Sequence, residues 1–237
     1  MYRKISIIIL LFFTLLCSGC EMNNLNNNKN TTKLATSDIK QLIGITYNDI
    51  EKIYGSPEKS TYYINKNNLS KIQKNYISLR SFNYHSIIKA YYKTTVEDKY
   101  IILWYKNNKV IKACFDEDDI ISKDSFYSEV NNTDFKIDYF SSSSSLNNKY
   151  NLEEYKTSIN DSIFSFNKKH NLSCPKIAVN FSSSNKVLYF YHINKSKNEY
   201  DNDCLFIISN NNKITYINTI NTINSSKICE TILEYIK

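Results

Sequence analysis

The chain has 237 residues, of which 42% are hydrophobic and 22% charged, and its formal net charge is +7 at pH 7. This composition excludes a wholly disordered chain, because enough apolar side chains are present to form a core. Only 3 Gly and 2 Pro occur, which excludes Gly-rich phosphate loops, collagen and Pro-rich linkers. Arginine occurs only at Arg3 and Arg80. Nucleic acid is therefore not an expected partner, because nucleic-acid readers concentrate Arg and Lys on one face.

Residues 1–19 have the pattern of a bacterial secretory signal peptide. Arg3 and Lys4 form a short basic head, and an apolar run follows from Ile5 to Leu16. This run is too short for a membrane-spanning helix, which needs about 20 apolar residues. A basic head, a short apolar middle and small residues before a cleavage site indicate export.

The end of this signal resembles a bacterial lipobox, in which small residues precede a Cys. Ser18 and Gly19 precede Cys20, and Cys17 stands where the family usually has Leu. The resemblance implies that Cys20 becomes the N-terminus and carries diacylglycerol on its thiol, with a further chain such as palmitate. Each buried methylene would contribute ~0.8 kcal/mol to anchoring. The alternative is an ordinary signal peptide with an incidental Cys.

Residues 20–36 form a polar segment that is rich in Asn and has no hydrophobic periodicity. A segment of this kind acts as a tether between a bilayer and a folded domain. Together with the lipobox it predicts a lipid-anchored protein on the extracytoplasmic face of the cell membrane.

Two short helices open a first module, which we expect over residues 37–125. Gly44 and Gly55 each end a helical pattern, where a left-handed backbone suits Gly. The segment Thr46 to Asp49 has the form of a capping box, and Pro57 prevents the second helix from continuing. Gly44, Gly55 and Pro57 are therefore predicted structural turn residues.

Antiparallel strands follow in the same module. Runs rich in β-branched and aromatic residues predict four of them: Thr61–Ile64, Ile87–Lys93, Tyr100–Tyr105 and Val110–Phe115. Asn107 and Asn108 separate the last two, and a two-residue hairpin turn is expected there because Asn tolerates positive φ. Trp104 is expected in the core or as an edge anchor.

This first module resembles the SmpA/OmlA outer-membrane lipoproteins, the BamE-like group, and the related β-lactamase-inhibitor-protein fold. The resemblance covers about residues 37–115, a third of the chain. The matching residues are Gly44, Thr46, Asp49, Ile50, Tyr54, Gly55, Pro57 and the hairpin segment Leu103 to Val110. The resemblance implies a lipid-anchored module that binds another protein without catalysis.

Residues 126–150 are expected to be a linker, with the serine run at 141–145 as its most linker-like part. The acidic run Asp116–Asp119 precedes it. Hard cations bind several oxygens, but the spacing here is not that of a calcium loop and no Gly permits the sharp turn. We read the acidic run as a solvated rim.

A second module is expected over residues 151–237. A helix opens at Asn151, and one apolar face of it runs through Phe166. Strands are predicted at Lys176–Phe181, Val187–Ile193, Cys204–Ser209 and Lys213–Asn218, and a final helix begins at Ser225 or Ser226. The predicted fold class is therefore α+β, with two small helix-plus-antiparallel-sheet modules after a lipoprotein signal and polar tether.

The second-half cysteines are candidates for a disulfide. Four thiols of the mature chain, beside Cys20, allow three pairings, which the sequence does not distinguish. Disulfides form on the oxidising side of a membrane, and one bridge is expected among Cys174, Cys204 and Cys229. Cys114 lies among strand residues and is expected to be a small buried hydrophobe.

No recognised catalytic or metal motif is present. His170 and Cys174 would share one face of a continuous helix and form a nucleophilic pair, but Pro175 argues that the helix ends before it. We expect no catalytic residue, no metal and no cofactor. The expected function is non-enzymatic binding of another extracytoplasmic protein by a lipid-anchored chain, with exposed Tyr as interface material. The alternatives are a solute- or wall-polymer-binding lipoprotein, or an enzyme of unrecognised type.

Overall fold

The computed structural model describes residues 39–74, 82–96, 99–143, 145–146, 151–193, 204–220 and 225–235. The expected signal peptide, Cys20 and the polar tether lie outside these residues. The described residues belong to a single compact unit. No helix in this part of the chain has the length and apolar character needed to cross a membrane.

Short helices alternate with ten strands in the described part of the chain. Two 3₁₀ helices occur at Ile39–Leu42 and Asp116–Asp118, and the α-helices are α1 (Tyr47–Tyr54), α2 (Lys66–Lys74), α3 (Phe82–His85), α4 (Tyr127–Asn131), α5 (Leu152–Lys156), α6 (Ile163–Lys169) and α7 (Ser225–Glu234). The strands are β1 (Lys59–Ile64), β2 (Ile87–Lys93), β3 (Tyr100–Lys106), β4 (Lys109–Phe115), β5 (Phe135–Phe140), β6 (Ser145–Leu146), β7 (Ile177–Phe181), β8 (Lys186–Ile193), β9 (Cys204–Asn210) and β10 (Lys213–Ile220).

All ten strands of the described residues belong to one sheet. Nine of them follow the order β10-β9-β8-β7-β5-β1-β2-β3-β4, and each neighbouring pair is antiparallel. β6 pairs in parallel with the end of β8. Helices packed on a mainly antiparallel sheet confirm the predicted α+β class.

The two halves that the sequence divides into modules meet in this sheet through β5. This strand pairs with β1 on one side and with β7 on the other, although it lies in the segment expected to be a linker. Phe135 and Ile137 are 2% and 4% exposed, and Lys136 and Asp138 alternate with them, as the pleat of a strand requires. The alternation is short and adjoins the serine run, so the composition of this segment does not indicate a strand.

The two faces of the sheet are covered to different extents. Face A is the side that bears Tyr62, Leu103 and Val179, and it packs across both halves against α1, α2, α3 and α7. Face B is the opposite side. Its covered parts are two separate clusters, one under residues 116–131 over β2 to β4 and one under α5 and α6 over β8 to β10.

The two halves of the sheet repeat the same hairpin. Residues 107–110 read Asn-Asn-Lys-Val, and residues 211–214 read Asn-Asn-Lys-Ile. Both asparagines of each turn have positive φ, between 49° and 64°. Two successive residues with positive φ define the type I′ turn, which matches the twist of the flanking strands. The predicted Asn107-Asn108 turn is therefore confirmed.

The helix that packs beside each hairpin also begins in the same way. Thr46 and Ser162 cap α1 and α6 by accepting the backbone N–H three residues later, as N-cap residues do. Gly44 and Asn160 lie two residues before these caps, with φ of 86° and 77°. Val110 and Ile214 follow the lysines of the two turns. Each makes two backbone hydrogen bonds of 2.8–2.9 Å with the two residues that precede the helix cap.

The two repeats are related by an approximate half-turn about β5. β1 and β7 are both antiparallel to β5, so they run in the same direction. A half-turn about an axis along the strands keeps that direction and exchanges the faces of the sheet. This explains why α1 covers face A while α6 covers face B.

The helix expected from Asn151 through Phe166 is two helices, α5 and α6. Asn151 caps α5 as predicted, but α5 ends at Lys156. The following residues, 157–162, are rich in Thr, Ser, Asn and Asp, whose side chains compete with the backbone for hydrogen bonds. Ser162 then starts α6 as a new cap. The apolar periodicity was therefore correct for two short helices and wrong for a single one.

Candidate functional site

The central strip of face B lies between the two covered clusters. It is formed by β2, β1, β5 and β7, at positions whose side chains alternate with those of face A. Its residues are Lys59, Thr61, Tyr63, Lys89, Tyr91, Lys136, Asp138, Phe140, Ala178 and Asn180. On these strands face A bears mainly buried apolar or aromatic side chains. The strip residues other than buried Thr61 and Ala178 are polar or aromatic and at least partly exposed.

Register places the strip residues in rows across the strands. In the middle row Thr61 lies opposite Lys89 on β2 and opposite Asp138 on β5, and Asp138 lies opposite Ala178 on β7. Side chains directly opposite one another lie about 5 Å apart. The row therefore forms a contiguous surface that crosses from the first half of the chain to the second.

Lysines and aromatic rings alternate over the strip. Three of its lysines lie over a ring, with Nζ 4.9–5.7 Å from the ring centroid: Lys59 over Phe140, Lys89 over Tyr91 and Lys136 over Tyr63. Such cation–π contacts are worth about 0.5–1 kcal/mol at exposed sites. They hold the lysine stems along the sheet and leave the ammonium groups of Lys59 and Lys136 at the surface.

Positive charge exceeds negative charge on and beside the strip. Lys59 Nζ lies 3.1 Å from an oxygen of Asp138, which also accepts a 2.6 Å hydrogen bond from Thr61. Lys136 lies over Tyr63 on the strip, whereas Lys176 lies over Tyr139, which packs on face A. Lys136 has no ion-pair partner in the described part of the chain. The surface is therefore suited to carboxylates.

Asp119 fixes one border of the strip. Its Oδ1 accepts a 2.7 Å hydrogen bond from Trp104 Nε1, and its Oδ2 lies 2.5 Å from Lys89 Nζ. Burial is the largest single influence on the pKa of Lys89 and lowers it, but the hydrogen bonds and charge interactions with Asp119 and Tyr91 together raise that pKa above its usual value. Burial and Asp119 raise the pKa of Cys114 to about 12. The predicted solvated rim is thus wrong for Asp119, whose side chain is 7% exposed.

The predicted turn residues lie on the other side of the sheet. Gly44 and Gly55 have φ of 86° and 80°, the backbone that the sequence predicts, and they flank α1 on face A. A Cβ at Gly44 would have no atom within 4 Å, so backbone conformation and not space favours Gly there. Pro57 is buried and lines a small cavity with Tyr47 and other tyrosines.

The structure forms no disulfide among Cys174, Cys204 and Cys229, where one was expected. Cys204 and Cys229 lie in the buried cluster of face A, and burial raises the pKa of Cys229 to about 12. Cys174 is half-buried, with its Sγ 4.0 Å from the carbonyl oxygen of Ser142. Which thiols come close enough to bond depends on how the strands and helices that carry them pack in the core. The spacing of the cysteines in the sequence does not reveal this packing.

The His170 and Cys174 side chains have separate surroundings. The His170 ring packs against Tyr155 and Phe166 at centroid distances of 4.5 and 4.7 Å, and its Nε2 lies 3.3 Å from the Ser158 hydroxyl. Burial lowers the pKa of His170. α6 ends before His170, so no helix carries the two on one face. No group of three or more metal-ligating side chains occurs among the described residues.

The sequence alone did not identify the central strip. Lys136 and Asp138 lie in the segment read as a linker, and Thr61 and Lys89 become neighbours only through strand pairing. The short alternation of Phe135 to Asp138 is the signal that predicts a strand there.

Comparison with known proteins gives one weak structural match. No family model and no curated protein matches this chain. A solved protein from Streptococcus mutans, provisionally named a beta-lactamase inhibitor protein, is 11% identical over 79% of this chain and 90% of its own, with a TM-score of 0.26. At that TM-score, function has to be argued from this chain's own residues.

Proposed function

We propose that this chain is a non-enzymatic binding protein, anchored by lipid on Cys20 to the extracytoplasmic face of a membrane, which binds another extracytoplasmic protein. The central strip of face B carries the proposal. It joins both halves of the sheet, it lies between the two covered parts of face B, and its Lys136 is exposed.

The composition of the strip supports a protein partner with exposed carboxylates. Aromatic side chains contribute large contact area in protein interfaces at low entropic cost. Lys136 supplies positive charge without an internal ion-pair partner in the described residues. Complementary charge guides encounter and selects the partner. The proposed partner therefore presents Asp or Glu side chains to this surface.

The surroundings of His170 and Cys174 support a role without catalysis. A nucleophile and its base have to lie within hydrogen-bond reach of each other. His170 instead faces Ser158, which is buried, and Cys174 contacts the backbone of Ser142. Neither the His170–Ser158 contact nor the Cys174–Ser142 contact lies on the central strip.

The anchor is tested by mass spectrometry of the protein extracted from membranes. A mature N-terminus at Cys20 that carries diacylglycerol supports the proposal. An intact Met1 or a cut at another residue contradicts the anchor. Cys20→Ser, which removes the acylated thiol, should leave the chain unprocessed.

The binding surface is tested by charge reversal. Proteins that co-purify with the tagged chain from detergent-solubilised membranes are quantified for the parent, for Lys136→Glu and for the control Lys213→Glu, an exposed lysine on β10. We expect an extracytoplasmic protein to be lost from Lys136→Glu and retained by Lys213→Glu. Equal recovery from both variants, or recovery of an anionic wall polymer in place of a protein, contradicts the proposal.

A further inference from the structure

A polar cavity lies at one end of the central strip, between α3, α4 and the adjoining ends of β2 and β3. Its volume is about 330 Å³, and Tyr63 belongs to both the strip and the cavity wall. This volume falls within the range of small-molecule sites. The asparagines Asn65, Asn68 and Asn132 contribute to its lining.

The fixed charges in the wall neutralise each other. Lys106 Nζ lies 2.5 Å from Glu129 Oε1, and both residues line the cavity. Apart from the imidazole of His85, the other described lining residues are uncharged. The cavity therefore lacks the excess charge that an anionic or cationic ligand requires, and it favours a neutral polar ligand.

Tyr84 provides a flat apolar surface at the mouth of the cavity. The side chain is 56% exposed, yet its hydroxyl accepts a 3.1 Å hydrogen bond from Nδ2 of buried Asn108. The Oδ1 atom of Asn108 is buried without a hydrogen-bond partner. The hydrogen bond with Tyr84 therefore satisfies the Nδ2 group of this amide and fixes the Tyr84 ring. A fixed ring loses little conformational entropy when a ligand packs against it.

We propose that this cavity binds a neutral sugar unit of a glycan. Sugar hydroxyls both donate and accept hydrogen bonds, as do the amides of the wall, and the C–H face of a pyranose ring packs on an aromatic ring such as Tyr84. α3 supports this arrangement because it buries Phe82 and Asn83 and leaves Tyr84 and His85 in the cavity wall. The cavity adds a small-ligand site to the proposed protein-binding surface.

Saturation-transfer difference NMR on the full chain tests the proposal, in a detergent without a sugar headgroup. The probes are glucose, galactose, mannose and N-acetylglucosamine, with glycerol and inorganic phosphate as comparisons. We expect transfer to the ring protons of at least one sugar, with a dissociation constant on the order of 1 mM. Tyr84→Ala should weaken it about tenfold. Tyr84→Phe keeps the ring but loses the hydrogen bond with Asn108, so it should weaken binding less than Tyr84→Ala. Tyr216→Ala, which removes an exposed Tyr of β10, should leave binding unchanged.

Three results overturn the proposal. The first is no transfer to any of the four sugars. The second is transfer that Tyr84→Ala leaves unchanged, because the sugar then binds elsewhere. The third is displacement of the sugar by glycerol or phosphate at equal concentration, which identifies a general polyol or anion site. Circular dichroism of Tyr84→Ala distinguishes loss of the site from loss of the fold.

Discussion

At the scale of single residues, Asp119 determines how the segment after β4 packs on the sheet. Its carboxylate joins Trp104 of β3 to Lys89 of β2, so one side chain links the covering segment to two strands. The local sequence did not indicate that Asp119 would be buried while the three acidic residues before it are exposed. The difference arises because the chain turns back over face B at this point, and that turn depends on contacts with distant strands.

We expect Asp119→Asn to lower the free energy of unfolding by about 3 kcal/mol, because it leaves the mostly buried ammonium of Lys89 without its carboxylate. Asn keeps an oxygen for the Trp104 hydrogen bond, so the lost charge is the main change. Urea denaturation followed by Trp fluorescence measures the effect. The control is Asp118→Asn at an exposed position, and an equal, small effect in both variants would contradict the buried pairing.

The burial of Cys174, Cys204 and Cys229 predicts an order of thiol reactivity. Cys174 is half-buried, whereas Cys204 and Cys229 are buried. Thiolate is the reactive form, and a pKa of about 12 for Cys229 leaves almost none near neutral pH. Maleimide should therefore label Cys174 in the native protein and reach the other two only on unfolding. Peptide mapping that finds Cys174 in a disulfide would refute this order.

At the scale of elements, caps and turns were the features that local chemistry predicted best. The Thr46 cap, the Asn107-Asn108 turn and positive φ at Gly44 and Gly55 all depend on residues near one another in the chain. The positive φ of Asn160 was not predicted because the residue is not Gly, although it occupies the position equivalent to Gly44. The backbone requirement is shared by the two repeats, and the residue that meets it differs.

Substitutions at these two equivalent positions should have different effects on stability. Gly44→Ala should destabilise the protein by about 1 kcal/mol, because an L-residue resists φ of 86°. Asn160→Gly should be neutral or stabilising by a few tenths of a kcal/mol, because Gly adopts φ of 77° without strain. Thermal unfolding of the two variants measures both changes. Destabilisation of similar size in both would argue against the shared backbone conformation.

At the scale of the whole molecule, β5 makes one sheet from two repeats. The strands of each half could be located from β-branched and aromatic runs, but the pairing of β5 with β1 and β7 joins residues far apart in sequence. The same pairing relates the two repeats by a half-turn. It also places the central strip across β5, where the two repeats meet. The strip therefore could not be predicted from either half alone.

A single sheet predicts cooperative unfolding of both halves. Ile137→Ala, in the middle of β5, should cost about 3 kcal/mol because it leaves a cavity in the core. Trp104 fluorescence reports the first half and exposure of the Cys229 thiol reports the second, and both midpoints should shift together. Ile120→Ala, at a residue that is 70% exposed, is the control and should change stability by less than about 0.5 kcal/mol. A shift in one half only would indicate two independent units.

Site-specific photo-crosslinking in intact cells tests the binding role of the central strip most directly. A photoreactive amino acid replaces Lys136 in one strain and Lys213 in another, and adducts are identified by mass spectrometry. We predict that position 136 crosslinks to an extracytoplasmic protein at a site flanked by Asp or Glu, and that position 213 does not. The same adducts at both positions, or none at position 136, would contradict the account.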